Sequence, residues 1–557
     1  MSNFSFPFAT SSFPSPTGEA TGVDPKLFLW AVLSICSVVL FLDAHAKKNG
    51  PLPPGPKGLP FFGNVFQLSD DAWHRFTEWK YVYGPIVYLN LCGQSVIVLS
   101  SNKVAADLLD RRAAIYSDRP RFIVACGMLT EGLFFTFSRY GDKWRRMRRA
   151  AHTGLHKVVV NLFQPQQTAE ATLLIKDIIK DPGAWDAHVR RSIFSTVLNV
   201  TYDTPVITSM KDDKIEGILR FTKHILRAAY IDGHMVEYFP WLQHLPSWIA
   251  RWKKDVERWS WEYSKMFQGF YGGVKQRAVM TARLLSPITS DPHHMRSYRS
   301  REMNGQVSLS LCTRSVQAMG LPRKKWLGFQ LPCRAAGSES VVGVTAWFML
   351  AMVRNPDIQR KAQAEIDDVV GRDRLPTFAD YEHLPYIRAL VREVLRWNPV
   401  DPLGMQHRST HDDWYGGYFI PAGTICIANV WAMNRDPEIW GTDAHEFKPE
   451  RHLNAQGGLL KAPADTRDEG HVTFGFGRRI CVGRHLANNS LFINIAYMLW
   501  MFSIDPVLGE DGRPIIPTDE SLNLGLVVRP RPFDCVITPR HPDALATFEH
   551  HKLNYGL

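Results

Sequence analysis

The chain has 557 residues, 45% of them apolar and 12% aromatic, with 17 Trp and 31 Phe. That excludes disorder and collagen-like structure for the bulk of it and allows a large buried core. Eight scattered cysteines without a CxxC pair exclude a disulfide scaffold or structural zinc site and fit a reducing compartment. The net charge of +11 raises the question of nucleic acid, but no basic stripe with interleaved aromatics is visible, and no nucleic-acid partner is expected. Much of the excess lies in residues 286–334, where eight Arg and Lys face two acidic residues.

Residues 1–26 read as an N-terminal tail. Leu27–Leu42 is a run of sixteen residues without a charge. At ~1.5 Å per residue it would make roughly 24 Å of helix against a bilayer core of ~30 Å, and Ala44–Ala46 would add a turn. Residues 27–46 are therefore expected to form a single transmembrane anchor. A cleaved signal peptide is the rival, since Ala44-His45-Ala46 resembles a cleavage site, but the preceding tail is long and holds one cation, Lys26. Lys47 and Lys48 follow directly and place the body of the protein on the cytosolic side. Residues 47–60, rich in proline, read as a stiff extended spacer between membrane and body.

The body is expected to run over residues 61–540, with 541–557 as a C-terminal tail. Ile86–Leu99 predicts a hairpin around Cys92-Gly93. Lys103–Ala114 predicts a helix, and Trp144–His152 a basic amphipathic one. A long helical stretch is expected over Val341–Val370, another over Glu382–Trp397 ending before Pro399, and a last long helix after Gly483. Trp414–Asn429 alternates turns and strands, and short strands are expected at Leu524–Val528 and Phe533–Ile537. Helix outweighs strand, and no βαβ period supports a doubly wound sheet. Residues 286–334 do not fit this pattern. Pro322, Pro332, Gly305, Gly320 and Gly328 interrupt any helical period. The stretch reads as an artefact of gene prediction or as an inserted loop, and sequencing the spliced transcript separates the two.

The segment Phe474-Gly-Phe-Gly477-Arg-Arg479-Ile-Cys481-Val-Gly483 carries the chemistry. It is a glycine-hinged loop that presents one thiol at the start of a helix, where Gly477 and Gly483 allow a flat ligand to approach. The helix N-terminus and Arg479 are expected to favour the thiolate. Such a thiolate can be the axial ligand of a heme iron; otherwise Cys481 is a small buried apolar residue. Here the chain resembles the cytochrome P-450 heme-thiolate family, in its microsomal eukaryotic branch and closest to fungal members. Phe474, Gly477, Arg479, Cys481 and Gly483 fill the pattern F-x-x-G-x-R-x-C-x-G. Glu393-Val-Leu-Arg396 fits E-x-x-R. Phe447-Lys-Pro-Glu-Arg451 fits the segment that follows it, with His452 where Phe is usual. Trp144-Arg-Arg-Met-Arg148 fits W-x-x-x-R.

The resemblance implies a mainly α fold with a small β region, the P-450 fold, preceded by a single N-terminal transmembrane helix. It implies heme b ligated by Cys481, with Trp144, Arg148, His407 and Arg479 at the propionates and Phe474 near the sulfur. It implies that Glu393, Arg396 and Arg451 brace the heme loop. Ala336-Gly-Ser-Glu339-Ser340 stands at the family's proton-delivery motif, with Ser340 in place of Thr, so Glu339 and Ser340 are the catalytic candidates. Substrate contacts are expected from the segments Arg119–Phe137, Val400–Gln406 and Leu522–Val527, notably Phe122, Met128, Phe134, Phe135, Leu403, Met405 and Leu524; each is otherwise ordinary core.

The implied function is mono-oxygenation of a hydrophobic small molecule, such as a terpenoid, a polyketide-like aromatic or a xenobiotic. Electrons would come from NADPH through a separate NADPH–cytochrome P-450 reductase, with cytochrome b5 as a second donor. The expected location is the endoplasmic reticulum membrane. The basic run Arg139–Arg149 is either a solvated helix face or a docking patch for an acidic electron donor. Two other classes remain: a heme-thiolate isomerase, dehydratase or peroxide-using enzyme, and a non-catalytic heme or ligand-binding protein.

Overall fold

The computed structural model describes Trp30 and residues 50–202, 204–209, 213–230, 234–285 and 331–553. The expected anchor at 27–46 lies, apart from Trp30, outside the described residues, as do residues 286–330. Among the described residues no helix is long and apolar enough to cross a membrane.

The longer helices are α1 (Ala72–Tyr83), α2 (Asp142–Leu155), α3 (Gln164–Lys180), α4 (Trp185–Tyr202), α5 (Asp213–Ala228), α6 (Arg251–Leu285), α7 (Leu331–Arg354), α8 (Pro356–Val369), α9 (Pro385–Trp397), α10 (Arg484–Met501) and α11 (Pro542–Leu553). The centre is built from α3, α4, α7, α9 and α10, which pack on one another. Every residue of α10 from Ser490 to Met501 is buried, as are nearly all from Val341 to Val353 in α7. A helix apolar all round belongs inside a large core, and these two form its axis. By contrast α2 buries Trp144, Met147, Ala150, Ala151 and Leu155 at helical spacing and leaves Arg145, Arg146 and Arg149 in solvent.

The small β region has four pieces. Strands β1 (Ile86–Leu91), β2 (Gln94–Leu99), β3 (His407–Arg408) and β6 (Ile425–Ala428) form one sheet in the order β1-β2-β6-β3, antiparallel except for the β2–β6 pair. Cys92 and Gly93, both at positive φ, make the expected hairpin turn. Strands β4 (Asp413–Tyr415) and β5 (Tyr418–Ile420) form a second hairpin. Near the C-terminus β7 (Phe502–Leu508) pairs with β8 (Pro514–Ile515) and β11 (Cys535–Pro539), and β9 (Ser521–Asn523) pairs with β10 (Val528–Pro530).

Several local expectations are corrected. The stretch Val341–Val370 is two helices, because Pro356 starts α8 after the break at Asn355. Pro332, read as an interruption, lies in the first turn of α7, where the missing N–H costs nothing. The helix over Lys103–Ala114 contains a π turn at Ala106–Arg111 and breaks at Arg112. Glu382 belongs to a 3-10 turn rather than to α9. Leu524–Val527 is the tight turn between β9 and β10, with Gly525 at φ +106°. The proline-rich segment is part of the body: the Tyr88 amide donates to the Pro54 carbonyl and the Phe419 amide to that of Pro51. The expected tail at 541–557 opens with α11, which buries Ala544 and Phe548.

Candidate active site

The loop before α10 is shaped by one glycine. Gly477 has φ +55°, and a Cβ there would stand 2.1 Å from the Leu109 carbonyl oxygen. Its amide is held by the Asp110 carboxylate, so the loop rests directly on the π turn. The Cys481 amide donates to the Phe474 carbonyl (2.9 Å) and closes the loop. Gly483 differs from Gly477 in its backbone. Its φ is −88°, and a Cβ would meet nothing nearer than the Cys481 sulfur at 4.0 Å. What Gly483 contributes is its amide, which hydrogen-bonds the thiol.

Cys481 is exposed to a cavity of about 320 Å³ that it lines. The same loop supplies Phe474, Val482 and Gly483, and α7 supplies Gly337, Ser340, Val341 and Val344. Burial pushes the Cys481 thiol up, while the Gly483 amide, Arg148 and Arg484 pull it down. Arg479 is not the cation that faces the sulfur. Its guanidinium turns away to the carbonyls of Ser117 (2.8 Å), Phe135 (3.2 Å) and Ser138 (2.8 Å) and lies 4.2 Å from the centre of the Trp144 ring.

The other rim residues converge. Trp144, Arg148 and His407 line the cavity with Arg479. So does Arg119, which sequence reasoning saw only as the start of a substrate loop; it donates to the carbonyls of Thr136, Met405 and Gln406. Arg119 and Arg479 hold carbonyls rather than carboxylates. Burial brings Arg119 down to about 9, and burial together with Arg119 brings Arg479 down to about 8. His407 is driven well below its ordinary value by burial, Arg119 and Arg479, with Nδ1 2.7 Å from the Tyr116 carbonyl oxygen. The Trp144 indole N–H is buried without a partner. A cluster of buried donors and repelling cations is stabilised by a bound anion. A heme with its two propionates supplies that charge, so the residues fit the group.

Behind the loop, Glu393 and Arg396 are both fully buried and form a bidentate pair at 2.7 and 2.8 Å. Arg451 joins at 3.0 Å, the Lys448 amide at 2.8 Å and His452 at 3.0 Å. Burial works against the Glu393 carboxylate, but Arg396 and His452 more than offset it and hold the group at about 2. Arg396 also donates to the Asn434 carbonyl, and the Asn434 side chain holds Thr473 and the Val472 amide at the foot of the loop. Asn434 was not anticipated, since nothing local marks it.

Ser340 lines the cavity, but Glu339 does not. Its carboxylate is buried and accepts from Arg190 of α4 at 3.1 Å through each oxygen. Arg190 in turn pairs with Asp186, which Arg529 also holds. Of the residues expected to contact substrate, Phe134, Phe135 and Met405 line the cavity. Phe122 faces a separate pocket of about 80 Å³, Leu403 is buried elsewhere, Leu524 is exposed and Met128 packs on the core. Leu526, Val527, Ile225 and Leu226 take their places. Alternation and burial cannot be read from an isolated loop, which is why these assignments differ.

The model of the family "Cytochrome P450" matches residues 53–536. The chain belongs to the cytochrome P450 family. A cytochrome P450 monooxygenase of Armillaria gallica is 49% identical over 95% of this chain and 97% of its own length. Cytochrome P450 monooxygenase 58 of Postia placenta is 45% identical over 93% of this chain and 95% of its own, and an Amanita muscaria cytochrome P450 monooxygenase is 36% identical over 93% and 96%. This P450 is a heme-dependent monooxygenase, mostly helical with small sheets.

Proposed function

We propose that this P450 monooxygenase inserts one oxygen atom into a hydrophobic small molecule, of the terpenoid, polyketide-like aromatic or xenobiotic kind. Its electrons come from NADPH through NADPH–cytochrome P450 reductase, with cytochrome b5 as a second donor. Residues 27–46 anchor it in the endoplasmic reticulum membrane with the body in the cytosol. The supporting observation is the cavity in which one thiol faces a predominantly apolar lining. Bound heme supplies the oxygen activation by which RH, O₂, two electrons and two protons give ROH and water.

The protein's own residues bind, orient and exclude water. Cys481 ligates the iron, and Trp144, Arg119, Arg148, His407 and Arg479 hold the propionates. Phe134, Val341, Val344 and Leu526 present apolar surface to the substrate. The Ser340 hydroxyl both donates and accepts a proton at the cavity wall, without the methyl that would fix a threonine rotamer. In the basic run Arg139–Arg149, Arg139 pairs with Asp118 and Arg145 with Asp142, which leaves Arg146 and Arg149 on α2 as exposed cations to steer an acidic donor. The ion pair that holds Glu339 out of the cavity favours a second reading, an enzyme that needs no reductase; dependence of turnover on NADPH and O₂ separates the two. In the reduced carbon monoxide difference spectrum the native protein shows the thiolate-shifted Soret band and Cys481→Ala loses it. A band unchanged by that substitution overturns the assignment.

A further inference from the structure

The cavity wall facing α7 contains an acidic side chain that neither the heme site nor the brace uses. Asp401 lies in the segment between α9 and β3 and lines the cavity beside Val400, Gly404 and Met405. The segment is pinned against α7 and β10: the Val528 amide donates to the Val400 carbonyl (2.8 Å), and Val400 packs on Gly343. The same cavity is lined by the apolar side chains Val341, Val344, Val400, Leu526 and Val527. No cation comes within 4 Å of the Asp401 carboxylate among the described residues. Arg119 is the cation whose charge reaches it, but its Nε and Nη1 are committed to three main-chain carbonyls.

We propose that Asp401 is a specificity-determining residue, which selects among hydrophobic substrates those that carry a positively charged nitrogen. A buried carboxylate with no cation in contact is costly, and a ligand cation relieves that cost where a neutral group of the same shape does not. Burial already pushes its carboxyl up to about 7, with Arg119 and a Gly404 hydrogen bond acting against the shift; a cation beside it returns the group to the charged form. The selection rests on the reading of this cavity as an apolar substrate site.

The test uses the full-length, heme-loaded protein and two probes of equal shape: an aromatic trimethylammonium ion and its neutral tert-butyl isostere. Neither coordinates iron. By equilibrium dialysis, the native protein binds the ammonium probe at least about tenfold more tightly than the isostere. Asp401→Asn abolishes that preference and leaves the isostere's affinity unchanged, while Asp401→Glu retains a preference. Equal binding of the two probes by the native protein, or a preference that survives Asp401→Asn, overturns the selection alone. Binding of neither overturns the apolar-site reading and the selection with it. The native comparison needs no variant to fold.

Discussion

Gly477 and Gly483 occupy equivalent places in the motif and differ in what the fold asks of them. Gly477 combines a left-handed backbone with a carbonyl oxygen where its Cβ would be, so neither backbone nor neighbour can yield. Gly477→Ala is expected to cost on the order of 3 kcal/mol of folding stability by urea denaturation and to lower heme loading, because the loop must lift off the π turn. Gly483→Ala meets open space at an ordinary φ, and its stability is expected to stay within about 1 kcal/mol of the native protein. Equal losses for the two would show that the loop is not seated on Leu109 as described. The motif was legible in the sequence, and the difference in reason between its two glycines was not, since Leu109 is distant in the chain.

Between elements, long-range partners decide what a local pattern means. The basic face of α2, the hairpin β1–β2 and the existence of the helix α10 were legible from pattern, because each is a property of one segment, whereas the buried Glu393–Arg396 pair came from the family resemblance and not from its spacing. The orientation of Glu339 was not: its partner Arg190 stands on α4, 149 residues earlier. Arg119 was likewise hidden, with carbonyl partners at Met405 and Gln406 that only the fold brings to it. The Arg190–Glu339 pair ties α4 to α7 under partial burial, where removal of one partner strands the other's charge. Arg190→Met is expected to destabilise the protein by about 3 kcal/mol. A double-mutant cycle with Glu339→Gln is expected to return a coupling above about 1 kcal/mol. Simple additivity of the two substitutions would mean that the pair does not link the helices.

For the whole molecule, acid sensitivity follows from histidines that fold neutral. His471 is buried with Nε2 unpartnered, and burial, His452, Arg392 and Arg396 bring it down to about 3, against a smaller opposite pull from Glu393. His452 is also lowered, by burial first, although Glu393 favours its proton. Above the ordinary histidine value of 6.5 neither folded nor unfolded His471 carries a proton, and its contribution is complete. As pH falls below 6.5 the unfolded chain takes up a proton that the fold refuses, so stability is lost progressively until pH approaches 3. Asp401 acts with the opposite sign: its carboxyl is raised, so the stability it adds at low pH is lost as pH rises through about 7. The two partly cancel in the native protein, and a single substitution isolates one of them. His471→Phe, placed beside Phe474 at a ring separation the native imidazole already occupies (5.4 Å), keeps the ring and removes the titration. Urea unfolding at pH 7.5 and pH 5 is then the measurement. The loss of stability between those two conditions is expected to be about 2 kcal/mol smaller in the variant, the linkage of roughly one proton over that interval. An acid loss identical in the two proteins would mean that His471 takes up its proton in the folded state, and that the floor beneath the cysteine loop is open to water rather than sealed.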